Sequence, residues 1–247
     1  MAESQLEDTI VHLKSGLFPS VNVFFTLHKN ISTNPYILTQ RLSSTIVANS
    51  NGNSSNGTFD HYAIIDAARI TSLEHLAVAV NAALLRSNGQ GKVNNGNNES
   101  NNNSNNTRSG TSHQIMGQKR GRALDAIVCA GGSTNVASVL KDFAFNQDSI
   151  AAQEAKTETK SEYNVVLIGI DVTLEQYADL MMNVDLGLAS SQRQPEKIED
   201  MVGFFERERS KEEVTRLIKV FKTTKEEVDM QGLQKAIINR VASKFYI

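Results

Sequence analysis

The sequence predicts an α/β fold in a single compact domain, with a sheet of about four strands, six or seven helices and two polar loop insertions. Short apolar runs alternate with amphipathic segments through most of the chain, which is the pattern of strands covered by helices. From Pro195 onward the pattern is helical throughout. A chain of 247 residues, 40% of them hydrophobic, is of ordinary size and composition for one domain.

Four short apolar runs have the length and composition of strands. They are residues 21–29, 62–70, 123–130 and 163–171. In the first run, alternate residues from Val21 to Leu27 are apolar and fall on one face of the strand. The last run is apolar along nearly all of its length, which predicts cover on both faces of the sheet. These patterns do not define the order of the strands.

Helical periodicity and capping residues predict the remaining elements. The predicted helices cover residues 34–46, 71–87, 135–145, 173–184, 195–210, 211–222 and 229–245. Residues 71–87 give the clearest pattern, with an apolar stripe behind a cap at Thr71 or Ser72. The stripe consists of Leu73, Leu76, Val80 and Leu84. Asp171 or Thr173 and Ser210 are predicted caps of later helices.

Two polar segments interrupt this pattern, at residues 49–57 and 87–114. Both are rich in Asn, Ser and Gly, and such composition buries too little apolar surface to offset the entropy of ordering. We expect both segments to be solvated loop insertions within the single domain 1–247, and the second to be disordered.

Charge and cysteine content exclude several classes of protein. The formal net charge is −2 and the pI is about 6.2, so any contact with nucleic acid requires a local basic patch. The one cysteine, Cys129, cannot form an intrachain disulfide, and we expect it to be a buried strand residue. The amino terminus lacks a signal-peptide pattern and no apolar run is long enough to cross a membrane. These features fit a protein of the nucleus and cytoplasm without a membrane partner.

A Gly-rich turn follows the apolar run 123–130. It contains Gly131, Gly132, Ser133, Thr134 and Asn135. The turn lacks the lysine and spacing of a P-loop and also lacks G-x-G-x-x-G. From the local sequence alone, a simple turn at Gly132 with a helix cap at Ser133 or Thr134 is favoured over a binding site. The alternative is an anion site at the helix amino terminus, because free N–H groups and the helix dipole attract negative charge.

Three basic residues, Lys119, Arg120 and Arg122, lie just before the same apolar run. They fit phosphate contacts and, equally well, the solvated edge of a polar loop. On the assignment of 123–130 as a strand, they lie about 26 Å from the Gly-rich turn, at 3.3 Å per residue.

The sequence predicts no catalytic residue, no metal site and no cofactor. The five histidines are scattered, and no set of His, Cys, Asp or Glu has metal-ligand spacing. A binding module is therefore favoured over an enzyme. Two other hypotheses remain open, a small α/β enzyme that binds a phosphorylated ligand at 131–135 and a scaffold that binds only protein.

Several stretches, taken in order, resemble the PRPK-binding protein family, the small accessory subunit of the KEOPS/EKC complex. They are LFPSVNVFFTLHKNI, AIIDAARI followed by SLEHLAVAVNAALL, ALDAIVCAGGSTNVASVLKDFAF followed by YNVVLIGID, and EEVTRLIKVFKTTKEEVDMQGLQKAIINRVASK. The resemblance covers nearly all of the chain outside the two polar segments. Those segments depart from the compact pattern of the family.

The resemblance implies a non-catalytic subunit that docks on the N-terminal lobe of a small atypical kinase-ATPase. It also implies that the subunit holds tRNA by its 3′ CCA end while the complex installs a threonylcarbamoyl group on the adenosine next to the anticodon. A role in telomere maintenance is a further implication.

On this resemblance, the expected RNA-binding residues are Lys119, Arg120, Arg122, Gly131, Gly132, Ser133 and Asn135. The turn would hold the terminal bases, and the basic residues would contact the backbone further along. The expected kinase-binding residues recur at helical spacing near the carboxyl terminus and are Leu233, Ile237, Ile238, Val241 and Phe245. The same residues also fit the inside of the domain.

Overall fold

A computed structural model of the protein describes residues 8–31, 42, 61–89, 122–133, 135–143, 163–183 and 195–245. Within these residues four strands form one sheet: β1 (Val11–Lys14), β2 (Asn22–Ile31), β3 (Tyr62–Asp66) and β4 (Tyr163–Ile170). Their order is β1-β2-β4-β3, and every neighbouring pair is antiparallel. The two central strands are therefore β2 and β4.

Eight α-helices are present in the described residues. They are α1 (Leu73–Gly89), α2 (Arg122–Ala130), α3 (Val136–Phe143), α4 (Leu174–Asn183), α5 (Ile198–Glu206), α6 (Lys211–Phe221), α7 (Lys225–Gln231) and α8 (Leu233–Phe245). A short 3-10 turn, Ala67–Arg69, follows β3. The α/β class is confirmed.

Strand β4 is buried on both faces, as its continuous apolar sequence predicts. Val166 and Ile168 lie in a large core together with residues of α1, α2, α6 and α8. Val165 and Leu167 lie in a second core on the opposite face, against residues of α4. The alternation follows the period of two along a strand. The sheet thus separates two apolar layers, and the carboxyl-terminal helices pack on the larger one.

Three of the predicted strands are confirmed as β2, β3 and β4. The run 62–70 ends as a strand at Asp66, because the Asp66 carboxylate accepts a hydrogen bond from Ala68 N–H at 2.9 Å and starts the 3-10 turn. Strand β1 was not predicted. It has four residues that alternate between half-buried and exposed, too short a pattern to stand out in the sequence.

The predicted strand at 123–130 is wrong, because these residues form helix α2. All but Leu124 are buried, and α2 contacts α1, α8 and the sheet. The only charged residue in 123–130 is Asp125, and a short apolar run of this kind does not distinguish a buried helix from a central strand. Cys129 is buried as expected, but on a helix.

The predicted helix caps at Ser72, Thr173 and Ser210 are confirmed. Ser72 Oγ accepts a hydrogen bond from His75 N–H at 3.0 Å, and Thr173 Oγ1 accepts one from Gln176 N–H at 3.1 Å. Ser210 and Glu213 form a reciprocal capping box. The predicted helix 34–46 lies outside the described residues except for Leu42, which is helical.

Two of the differences from the predicted boundaries change the extent of an insertion or the number of helices. Helix α1 continues to Gly89, so the first residues of the predicted insertion 87–114 are helical, and the rest of it and 49–57 lie outside the described residues. The carboxyl-terminal region forms four helices instead of three, because Gly232, at φ +81°, separates α7 from α8.

Gly169 and Gly203 provide a matched test of the packing. A Cβ on Gly169 would lie 2.5 Å from Cδ2 of Tyr177, whose hydroxyl is fixed by donating to Leu167 O at 2.8 Å. We expect Gly169→Ala to lower the free energy of unfolding by about 1–3 kcal/mol. A Cβ on Gly203, inside α5, meets nothing within 4 Å. Gly203→Ala should therefore raise the free energy of unfolding, by about 1 kcal/mol at most. Urea unfolding measures both, and equal effects would contradict the packing described around β4.

Candidate functional site

The Gly-rich turn joins two helices, α2 and α3, instead of a strand and a helix. Gly131 N–H donates to Ile127 O at 3.1 Å and Gly132 N–H donates to Cys129 O at 3.0 Å, so both amides terminate α2. Gly132 has φ +58°, a left-handed conformation that glycine adopts without strain. A Cβ on Gly131 would lie 2.4 Å from Cγ1 of Val139. Both positions therefore require glycine.

Helix α3 is capped by Asn135, one or two residues later than predicted. The Asn135 side-chain oxygen accepts a hydrogen bond from Ser138 N–H at 3.2 Å. Ser133 Oγ in turn accepts one from Asn135 N–H at 3.2 Å. Thr134, the other predicted cap, lies outside the described residues. The polar side chains of the turn are thus held at the amino terminus of α3.

This turn forms one wall of a cavity of about 260 Å³, which we call the Gly-turn pocket. The other walls come from α3, from the end of α6 and from α8. The lining residues are Gly131, Gly132, Ser133, Asn135, Ser138, Val139, Phe143, Val220, Phe221, Lys222, Arg240 and Lys244. All four turn residues predicted to bind RNA therefore lie in one cavity.

The cationic side of the Gly-turn pocket consists of Lys222, Arg240 and Lys244. Lys222 ends α6 in a left-handed conformation, and its carbonyl accepts a hydrogen bond from Arg240 at 3.0 Å. Arg240 is also ion-paired with Glu227 at 3.2 Å. Lys222 and Lys244 are exposed, and neither forms an ion pair with any other described residue. Two lysine charges at the mouth are thus available to a ligand.

The inner side of the pocket is apolar. Val139, Phe143 and Phe221 line it, and the two phenyl rings meet edge to face, with centroids 5.6 Å apart and planes at 83°. The hydroxyl and amide groups of Ser133, Asn135 and Ser138 line the same cavity. An apolar inner side with polar and cationic rims fits a ligand that combines an apolar part, hydrogen-bonding groups and negative charge.

The sequence profile of the family described as kinase binding protein CGI-121 matches residues 28–245. The chain belongs to this family. No individual curated protein matches the sequence at a significant level. The match confirms the resemblance found in the sequence. It includes every residue that lines the Gly-turn pocket, whereas β1 precedes it.

In this CGI-121 family member, Arg122 is the one residue of the predicted basic cluster that the structure describes, and it begins α2, at the opposite end of the helix from the turn. Lys119 and Arg120 lie outside the described residues, and Arg122 forms an ion pair with Asp171, next to the end of β4. Helix α2 separates Arg122 from Gly131. Since α2 has nine residues at 1.5 Å each, the separation is about 13 Å along its axis, not the 26 Å of a strand. That Lys119, Arg120 and Arg122 contact RNA stays a prediction.

The predicted kinase-binding residues are mostly inside the domain. Ile237 and Val241 are 0% exposed and Ile238 is 8% exposed. Leu233 and Phe245, at the two ends of α8, are half-buried and pack against the core. Only these two could offer much apolar surface to a kinase.

Sequence analysis did not identify Lys222, Arg240 and Lys244 as site residues. They are about ninety or more positions beyond the Gly-rich turn and reach it only because α6 and α8 pack beside α2 and α3. The local signal is limited to a lysine at the end of each of two amphipathic helices, which is common at helix carboxyl termini.

The side chains that most often act as catalytic acids and bases are lacking in the described lining of this pocket. Among the described residues that line it there is no His, Cys, Asp or Glu. Cys129 lies nearby but is fully buried, and burial raises the pKa of its thiol to about 12, so it stays protonated. No group of three or more His, Cys, Asp or Glu in the described residues is placed to hold a metal, and no described helix is long and apolar enough to cross a membrane.

Two buried histidines make stability depend on pH. Burial lowers the pKa of both His28 and His75 from 6.5 to about 4. Above pH 6.5 both are neutral in the folded and the unfolded chain. Between pH 6.5 and about 4, these histidines take up protons only in the unfolded chain. The free energy of unfolding therefore falls as the pH falls, by up to about 1.4 kcal/mol per pH unit for each histidine.

We therefore expect His28→Leu to show a shallower loss of stability than the wild type between pH 6.5 and 4. The two curves should be parallel above pH 6.5, because His28 is then neutral in both states. Urea unfolding across this range measures the difference. Curves that stay parallel below pH 6.5 would show that His28 titrates alike in both states.

Proposed function

We propose that the protein is a non-catalytic subunit of the KEOPS/EKC tRNA-modification complex. In this role it binds the atypical kinase-ATPase of the complex and holds tRNA by its 3′ CCA end in the Gly-turn pocket. The tRNA is thereby recruited for threonylcarbamoylation of the adenosine next to the anticodon. A role at telomeres and a location in nucleus and cytoplasm belong to the same proposal. Family membership supports the kinase partner.

The observation that carries the RNA part is the composition of the Gly-turn pocket. Single-stranded RNA is recognised through splayed bases, which need apolar contacts and hydrogen bonds, and through its phosphates, which need cations. In the pocket, Phe221 and Val139 supply apolar contacts, and Ser133 and Asn135 supply hydrogen-bonding groups. The lysines of the pocket supply the cations. A volume of about 260 Å³ is small for a ligand pocket and fits the end of a chain better than a large cofactor.

A small α/β enzyme that acts on a phosphorylated ligand is the alternative. The same cations would bind its phosphate. It is disfavoured because acid–base catalysis most often uses His, Asp, Glu or Cys within hydrogen-bond reach of the substrate, and none of these is among the described lining residues.

Two lysine substitutions test the RNA site. Lys222→Gly suits the left-handed conformation at the end of α6, and Lys244→Gln alters an exposed residue of α8, so neither should disturb the fold. We expect the double variant to bind tRNA more weakly and to lose much of the preference for an intact CCA end. The log–log salt slope should flatten by up to about 1.4, or 0.7 for each single-strand phosphate contact. Electrophoretic shifts with tRNA carrying or lacking CCA measure both effects.

Lys235→Gln is the matched control, because Lys235 is an exposed lysine of the same helix that does not line the pocket. It should leave the CCA preference unchanged. An unchanged CCA preference in the double variant would place the RNA tail elsewhere. Gly132→Val is a poor probe, because a β-branched side chain at φ +58° would strain the turn.

Two leucines test kinase docking at α8. Leu233 and Leu174 are the first residues of α8 and α4, on opposite faces of the sheet, and an acidic residue is tolerated at a helix start. If α8 contacts the kinase, Leu233→Asp should weaken co-purification with the kinase about tenfold or more, as for a hot-spot residue. Leu174→Asp should not. Circular dichroism checks that both variants are folded. If both then co-purify with the kinase equally well, this end of α8 does not contact the kinase. Ile238→Asp is unsuitable, because it would bury a carboxylate.

A further inference from the structure

His75 is a fully buried imidazole on the first turn of α1, behind the Gly-turn pocket, and it lines no part of the cavity. Its Nε2 atom lies 2.9 Å from the carbonyl oxygen of Ala130. Ala130 is the last residue of α2 and immediately precedes Gly131. His75 thus contacts the chain at the residue where the Gly-rich turn begins.

The contacts of the ring determine its tautomer. A carbonyl oxygen only accepts, so Nε2 must carry the proton that is donated to Ala130. Nδ1 then accepts, and the N–H of Thr71 points to it at 3.4 Å. The lowered pKa of His75, due chiefly to burial, keeps the ring neutral, as this pair of contacts requires.

The same ring also contacts a second wall of the pocket. The centroids of His75 and Phe221 lie 5.3 Å apart, with the planes at 69°. Phe221 lines the pocket and directly precedes Lys222. His75 therefore lies between the Gly-rich turn on one side and the end of α6 on the other.

We infer that His75 is a positioning residue of the Gly-turn pocket. By donating to Ala130 and packing on Phe221, it holds the Gly-rich turn at a fixed distance from the cationic end of α6. The nature of the ligand in this inference rests on the proposed function. His75 does not touch the ligand and acts through the two walls.

The effect on binding follows from the hydrogen bond. Without the N–H of His75, the buried carbonyl oxygen of Ala130 has one hydrogen-bond partner fewer. The end of α2 can then move so that this oxygen finds another donor. Such a shift moves Gly131 and Gly132 relative to Lys222. It alters recognition of the terminal nucleotides, whereas contacts of the remaining tRNA with the protein surface are unchanged.

A pair of amide variants separates positioning from general stability. In His75→Gln the side-chain NH₂ takes the place of Nε2 and can still donate to Ala130 O, whereas the shorter side chain of His75→Asn reaches only the position of Nδ1. Both variants lose the ring and should be destabilised, Asn more than Gln because it also removes the donor to Ala130 O. We expect Asn to reduce the ratio of affinities for CCA-bearing and CCA-lacking tRNA about tenfold, and Gln to retain most of it. Affinities are compared well below the lower of the two melting temperatures.

Each outcome bears on a separate claim. If the wild type itself shows no preference for the CCA end, the proposed function fails irrespective of His75. If the wild type shows the preference and His75→Asn keeps it, the proposed function stands and the inference about His75 is wrong. A loss of the preference in both variants equally would also contradict the role of the donor.

A measurement on the wild type needs no substitution. Long-range ¹H–¹⁵N correlation of the His75 ring at pH 7 should show a protonated Nε2 and an unprotonated Nδ1. A protonated Nδ1 would exclude the hydrogen bond to Ala130 and with it the inference.

Discussion

The packing of α8 against α1 and α2 is the contact on which the Gly-turn pocket depends. Ile237 and Val241 are completely buried in the larger core, and this burial fixes the helix that carries Arg240 and Lys244. At Gly132 an added Cβ would come 3.3 Å from Cγ2 of Val241. The turn can therefore approach α8 closely only with glycine at this position. The same apolar contact that stabilises the domain places lysines beside a turn that is distant in sequence.

Buried polar groups also stabilise the packing of the helices and the sheet. In the part of the chain that the structure describes, one buried histidine that is neutral at physiological pH lies on each face of the sheet. His75 lies on the side of the pocket, and His28 lies beside Thr26 and Tyr177 on the other. Hydrogen bonds in a medium of low dielectric are directional and costly to leave unmade, so such groups favour a single arrangement of the elements they join. His75, on α1, contacts the last residue of α2 and the last residue of α6, Ala130 and Phe221.

Much of the fold could be predicted from local patterns, and the failures have physical causes. The alternation in β2 and the continuous apolar run of β4 identify their burial, and caps such as Ser72 and Ser210 mark helix starts. Helix α2 resembles a strand in sequence because a short, almost entirely apolar run does not distinguish a buried helix from a buried strand. The turn was located correctly. The cations of the pocket could not be located from the sequence, because only tertiary packing joins Gly131 to Lys222 and Lys244. Helical spacing likewise does not distinguish residues such as Val241, buried within the chain, from residues covered by a partner.

The most direct test of the account is to locate the 3′ terminus of bound tRNA on the protein. Periodate oxidises the terminal ribose of tRNA to a dialdehyde, which forms imines with nearby lysine amines. Reduction makes these bonds permanent, and mass spectrometry of the digested protein identifies the labelled residues. The account predicts adducts at Lys222 or Lys244, the two lysines that line the Gly-turn pocket. Adducts confined to exposed lysines elsewhere, such as Lys14 or Lys197, would contradict it.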